Sequence, residues 1–216
     1  VSRRLVNLTL DNVGDLPDRC RSCVFWELDQ VSAERACDGG DAALEKEAWF
    51  SDTLLEWGTC GQLAYVDGVP AGYVTYAPPA YVPRSQAFPT SPVSPDAVLL
   101  MTAYLAPQFR GGGLGRMLVQ AVAREAARRG IKAIEAFGAE TSDPRRTPPP
   151  VGSTTGRSCQ LPADYLRAVG FKTVRPHPHT PRLRLDLKST VSWREDVEYA
   201  LERLLGSMQA PALSRP

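Results

Sequence analysis

Pro107-Gln108-Phe109-Arg110-Gly111-Gly112-Gly113-Leu114-Gly115-Arg116 is the stretch whose residue types and spacing point most directly to chemistry. It joins an apolar run to an amphipathic helical pattern, so its last residues open a helix whose first N–H groups have no intrahelical partner. Glycines let a ligand approach that backbone closely, and the helix dipole favours negative charge at that end. Arg110 and Arg116 add two cations beside it. The predicted chemistry is retention of a phosphate or diphosphate. A P-loop would need Gly-Lys-Ser/Thr, whereas Gly115 is followed by Arg116-Met117. The dinucleotide fingerprint needs glycines at the first, third and sixth places, and counted from Gly111 the sixth is Arg116. As a mere connection, three successive glycines would be an entropic cost with nothing to offset it.

Arg110-Gly111-Gly112-Gly113-Leu114-Gly115 resembles the Arg/Gln-x-x-Gly-x-Gly/Ala signature of the GNAT N-acetyltransferase superfamily. Tyr165-Leu166-Arg167-Ala168-Val169-Gly170-Phe171 is similar to that family's late-helix block, and the order of elements over residues 3–187 resembles its fold. Cys20-Arg21-Ser22-Cys23-Val24-Phe25-Trp26-Glu27 further resembles an actinobacterial subgroup whose acceptors are undefined. The resemblance implies acetyl-CoA as cosubstrate, with the amides of Gly111, Gly112, Gly113, Leu114, Gly115 and Arg116 on its diphosphate and Arg110 beside them. Tyr104 and Leu105 would pair their backbones with the pantetheine arm, between parallel strands 97–105 and 132–137 that splay apart. An amide near residues 103–105 would face the thioester oxygen.

Acetyl transfer to an amine needs a neutral nucleophile and a proton for the departing thiolate. The resemblance implies a tyrosine of the late helix as that acid. Leu166 stands at its place and Tyr165 one residue earlier, a rotation of about 100° along a helix. Tyr165 is therefore either the acid or a core aromatic; Tyr104 is a second candidate acid or a pocket-lining ring. Residues 98–103 supply no carboxylate, and Asp96 lies at the far start of that strand. Glu27, in the region that roofs the acceptor site in this fold, is the preferred base, with Glu135 and Glu140 as alternatives. Cys20-x-x-Cys23 has the spacing of half a zinc site or of a redox pair. Cys37 and Cys60 follow at spacings of no common zinc site, so no metal is expected. Cys159 is either an acyl-carrying nucleophile or a small buried residue. His177 and His179, flanked by prolines, are expected at a hairpin tip near the mouth of the site.

The positioning elements follow from periodicity. Strands are expected over 3–10, 62–66, 69–77, 97–105, 132–137, 171–175 and 182–187, with Asp67-Gly68 as a tight hairpin turn. Residues 15–26 read as a short helix or turn. Helices are expected over 41–57, 114–129 and 162–169. Leu114, Leu118, Val122 and Ala126 recur every fourth residue; Leu44, Ala48, Trp49 and Leu54 or Leu55 are expected on one face. Residues 97–137 form one strand–helix–strand unit with parallel strands. Six prolines between Pro78 and Pro95 make a long stiff loop, which with residues 138–161 should flank the acceptor pocket. Ser192-Trp193-Arg194-Glu195 is a capping box for a last helix over 193–208. The predicted class is α/β (α+β), GNAT-like: a mixed, centrally splayed sheet of about seven strands flanked by helices. Residues 1–188 would be the acetyl-CoA-binding domain and 189–216 an amphipathic helix with a frayed tail.

The chain has 216 residues, 43% apolar and 23% charged, enough for one large core. Twenty-five basic against 24 acidic residues leave a net charge of +1, which gives no general attraction to nucleic acid or anionic lipid. No apolar run reaches the ~20 residues of a membrane span. Five cysteines at irregular spacing, without a signal-peptide core, point to a reducing cytoplasm. The expected partners are acetyl-CoA and an unidentified amine acceptor; the apolar stripe of 193–208 would cover either its own domain or another subunit in a homodimer, and pattern alone does not choose between them. A non-catalytic acyl-CoA-binding module and a cysteine-based redox or zinc protein are the alternative functions.

Overall fold

The computed structural model describes residues 2–140 and 159–187. Five strands come first along the sheet: β1 (Arg3–Asn7), β2 (Gly61–Val66), β3 (Val69–Ala77), β4 (Ala97–Leu105) and β5 (Ala133–Ala139). They are followed by β6 (Leu161–Pro162), β7 (Lys172–Arg175) and β8 (Arg182–Asp186) in the chain. In space the order is β1-β2-β3-β4-β5-β8-β7, with β6 paired to β5. β4 and β5 run parallel, as their strand–helix–strand connection requires; the other neighbours on the main path are antiparallel. The sheet is therefore mixed, with one strand more than expected.

Helices α1 (Asp18–Arg21), α2 (Gln30–Gly39), α3 (Ala42–Trp57), α4 (Leu114–Arg128) and α5 (Ala163–Ala168) complete the fold. Residues alternate across the sheet and so feed two apolar layers. On one face Leu114, Leu118, Val122 and Ala126 of α4 pack with Val98, Leu100 and Ile134, the stripe expected from their spacing. On the other, Trp26, Phe50, Leu99, Met101 and Phe137 are almost fully buried. Each such side chain removed from water contributes about 1.5–3 kcal/mol.

Several expectations are corrected. The first strand ends at Asn7, because Leu8 turns inward under Gly61. Helix α2 was not expected: it buries only Ala36, so it carries almost no apolar stripe. Its signals are the caps, Asp29 accepting from the amides of Val31 and Ser32, and Gly40 closing it at φ 80°. In α3 the inward face is Ala42, Lys46, Trp49, Phe50 and Thr53, while Leu44 and Leu55 are exposed. Lys46 takes a buried position that apolar counting assigns to leucine. Leu161 and Pro162 form strand β6 where a helix start was expected, and α5 begins at Ala163. The helix over 193–208, its capping box, the domain division at 188/189, Arg145, Arg146 and Pro148-Pro149-Pro150 lie outside the described residues.

Candidate active site

β4 and β5 pair over three positions, Ala97, Leu99 and Val98 against Ala133, Glu135 and Ile134, and then separate. The separation starts beside a bulge: Thr75 faces Thr102 and Tyr76 faces Leu100, leaving Met101 as the extra residue of β4. β3 holds the other edge of β4 as far as Leu105, so the edge from Leu100 onward faces a wedge. β8 holds the far edge of β5, where Gly138 N donates to Pro181 O at 2.9 Å and Glu140 N to His179 O at 3.0 Å. β6 must therefore occupy the edge of β5 that faces β4. The wedge is bounded by β4 on one side and by β5 with β6 on the other.

The glycine loop opens at the end of this wedge. Gly113 caps α4 at φ 78°, a left-handed conformation that a side chain resists, and supplies no side-chain cap. Among the described residues, the amides of Gly111, Gly112, Gly113, Leu114, Gly115 and Arg116 donate to no protein acceptor. Residues 111–113 are exposed, and a Cβ at Gly111 or Gly113 would meet nothing within 4 Å. This is an open cradle of six N–H groups at the positive end of a helix. Arg110 folds back, its Nε donating to Leu105 O at 3.2 Å, and Arg116 Nη2 reaches Ala168 O at 3.4 Å. Arg3, from the far edge of the sheet, donates Nη1 to Gly112 O at 2.9 Å. That third cation is separated from the loop by 109 residues, and no local pattern signals it.

Helix α5 turns its two neighbouring residues in different directions. Leu166 is fully buried in the α4 layer, whereas the Tyr165 hydroxyl hangs over Gly115 next to Leu105. A Cβ on Gly115 would lie 2.8 Å from that oxygen, so the glycine is what admits it. Burial raises the Tyr165 phenol above its ordinary pKa, keeping it a proton donor at neutral pH. Tyr104 lies on the opposite face of the sheet. Its ring is 6.1 Å from that of Tyr73, and Arg19 stacks over it at 5.4 Å. There it lines a cavity of about 310 Å³ between the α1 region and strands β3 and β4.

A second cavity, about 350 Å³, lies on the same face as Tyr104 but between the proline-rich loop and the β7–β8 turn. Phe25, Phe88, Arg84, Gln160, His177 and His179 line it, so the expected loop and both histidines converge. Arg84 stacks on Phe25 at 4.9 Å. His177 Nδ1 accepts from the amides of His179 (3.2 Å) and Thr180 (3.1 Å), which places its neutral-form proton on Nε2. Phe88 stacks on Phe137 at 4.3 Å, linking the cavity wall to the splayed part of β5.

Comparison with known proteins agrees with this geometry. The model of the acetyltransferase (GNAT) family matches residues 25–146, more than half of the chain. The chain belongs to the GNAT acetyltransferase family. The PaiA N-acetyltransferase of Thermoplasma acidophilum, solved with coenzyme A, shares its fold at 11% identity and TM-score 0.52, covering 86% of this chain and 99% of that one. An N-acetyltransferase of Staphylococcus aureus Mu50 is 13% identical with TM-score 0.52, covering 87% and 99%. Salmonella typhimurium yncA, solved with acetyl-CoA, is 16% identical with TM-score 0.51, covering 87% and 95%. No curated protein sequence matches the chain. Among the described residues, no helix is long and apolar enough to cross a membrane.

Within this GNAT frame each of the three expected carboxylates has a cationic partner. Glu27 is 2% exposed and ion-paired to Lys46, with the Trp26 amide on its other oxygen at 3.2 Å. It lines neither of these two cavities. Glu135 is fully buried where β4 and β5 still pair; it accepts from Arg182 at 2.5 Å, Arg184 at 3.1 Å and the Ser94 amide at 3.1 Å. Glu140 is paired with Arg167. Sequence separation hides all three partners. The cysteines do not pair at the Cys20-x-x-Cys23 spacing: Cys20 is buried beside Tyr73, and Cys23 meets Cys159. No group of three metal-ligating side chains occurs among the described residues.

Proposed function

We propose that the protein is an N-acetyltransferase that moves an acetyl group from acetyl-CoA to an amine by direct attack. The carrying observation is the cradle of six unpaired amides, Gly111 to Arg116, at the mouth of a wedge between parallel strands. A diphosphate there would receive backbone hydrogen bonds strengthened by its own charge, with Arg3, Arg110 and Arg116 around it. The pantetheine arm would pair with the free edge of β4 at Tyr104 and Leu105, and a main-chain amide of 103–105 would stabilise the developing oxyanion.

The amine would enter from the cavity of Phe25, Phe88 and Arg84, on the other side of the sheet from α4. The Tyr165 hydroxyl, protonated and turned toward the wedge, supplies a proton to the departing thiolate. With Glu27 and Glu135 held by buried cations, deprotonation of the amine falls to water or to the imidazole of His179. The same lack of an available carboxylate supports the second reading, an acyl-CoA-binding module without turnover.

Calorimetric titration with acetyl-CoA, followed by thiol-detected CoA release across a panel of amines, separates these readings. Binding with turnover supports the transferase, and binding without turnover supports the module. No binding removes both.

A further inference from the structure

The half-buried sulfurs of Cys23 and Cys159 lie 2.9 Å apart, although 136 residues separate them in the chain. Cys23 follows α1 on the acceptor side, and Cys159 leads into β6, the strand on the wedge edge of β5. Both main chains are already fixed. Trp26 Nε1 donates to the Cys159 carbonyl at 3.2 Å, and the Lys46 ammonium donates to the Cys23 carbonyl at 2.8 Å. A disulfide has a sulfur–sulfur distance of about 2.05 Å, so side-chain motion of about one ångström closes the gap. We propose that Cys23 and Cys159 are a covalent modification site, forming a reversible intramolecular disulfide when a hydroperoxide oxidises them.

The Cys23 thiolate attacks a peroxide oxygen; a sulfur–oxygen bond forms, the oxygen–oxygen bond breaks, and the released hydroxide leaves as water after taking a proton. The Cys159 sulfur then attacks the Cys23 sulfenic acid; the disulfide forms and a second water departs with the Cys159 proton. Two thiols lose two electrons and two protons, and hydrogen peroxide becomes two waters. The order of attack follows from the contact. Hydrogen bonding from Cys159 lowers the Cys23 thiol to about 7 against the effects of burial and of Glu27. That same bond, followed by burial, raises the Cys159 thiol. The other cysteines lack such a partner geometry: Cys20 is buried against Tyr73, burial pushes Cys60 up to about 12, and Cys37 is exposed on α2.

This pairing does not rest on acetyl transfer, and its test needs no cofactor. The full chain, treated with hydrogen peroxide, is expected to lose the mass of two hydrogens and to yield a Cys23–Cys159 cross-linked peptide. Dithiothreitol should restore the reduced mass. The Cys159→Ser variant should stop at a sulfenic acid on Cys23 that dimedone traps, while Cys37→Ser should cross-link as the parent does. Because the bond closes a very long loop, the oxidised form should melt several degrees higher. A Cys20–Cys23 link, or oxidation of Cys23 without any cross-link in protein of unchanged circular dichroism, overturns the proposal.

Discussion

The hydroxyl of Tyr165 occupies the space that a side chain on Gly115 would need, tying the late helix to the first turn of α4. Gly115→Ala should therefore push the phenol aside, costing about 1–3 kcal/mol by overpacking in urea unfolding. Adding Tyr165→Phe should recover part of that loss, because the clashing oxygen is gone. Equal losses in the single and double variants would show that the contact does not set the stability of this turn.

Tyr165→Phe alone separates binding from chemistry. If its hydroxyl protonates the thiolate, turnover should fall by about 100-fold or more while affinity for acetyl-CoA stays near that of the parent. Calorimetry and CoA release on the same sample measure the two quantities. An unchanged turnover number assigns the proton to another donor.

Gly113→Asp opposes an anion in two ways, by the strain of a side chain at φ 78° and by its negative charge. Affinity for acetyl-CoA should fall at least about 100-fold, equivalent to roughly 2.7 kcal/mol. Gly113→Ala, which adds strain without charge, should lose less. The order of the two variants in a titration is the readout.

Replacing Glu135 by Leu leaves the guanidinium of Arg182, itself 9% exposed, without its buried partner. A loss of about 3–5 kcal/mol in denaturant unfolding is expected. Glu27→Leu should act similarly through Lys46, and a far smaller loss in either variant would mean that these pairs lie in a more hydrated setting.

Stability should also depend on pH through Asp96. Hydrogen bonding from Arg184 holds its carboxyl below the usual aspartate value, so the native state binds fewer protons there than the unfolded chain. The contribution is fully present above the ordinary aspartate pKa and is lost as pH falls through the lowered one. Urea titrations at neutral and acidic pH should show a shallower decline for Arg184→Gln than for the parent.

How far the sequence alone reaches differs between these sites. Leu114, Leu118, Val122 and Ala126 announce α4 because their spacing matches the helical period, and Gly111 to Gly115 announce the cradle because the relevant groups are consecutive. Asp29 and Gly40 mark the ends of α2, but its exposed surface gives periodicity nothing to detect. Lys46 on a buried face, Arg3 at Gly112 and Cys159 at Cys23 are illegible for another reason. Each contact joins different segments of the chain, from 19 to 136 residues apart, and only tertiary packing brings them together. Glu27 shows what residue type alone leaves out: a carboxylate suits a base, and its buried ammonium partner, Lys46, is visible only in the fold.

The three residue pairs between Ala97–Leu99 and Ala133–Glu135 have a mechanical consequence. They form a narrow seam between two otherwise well-laced halves of the molecule, one running from β1 to β4 and the other from β5 to β7. A guest chain threaded past that seam would be stitched to β4 alone, since β6 already claims the opposite selvedge. Ligand capture would then stiffen the open border of the β1–β4 half and leave the seam itself as the flexible joint.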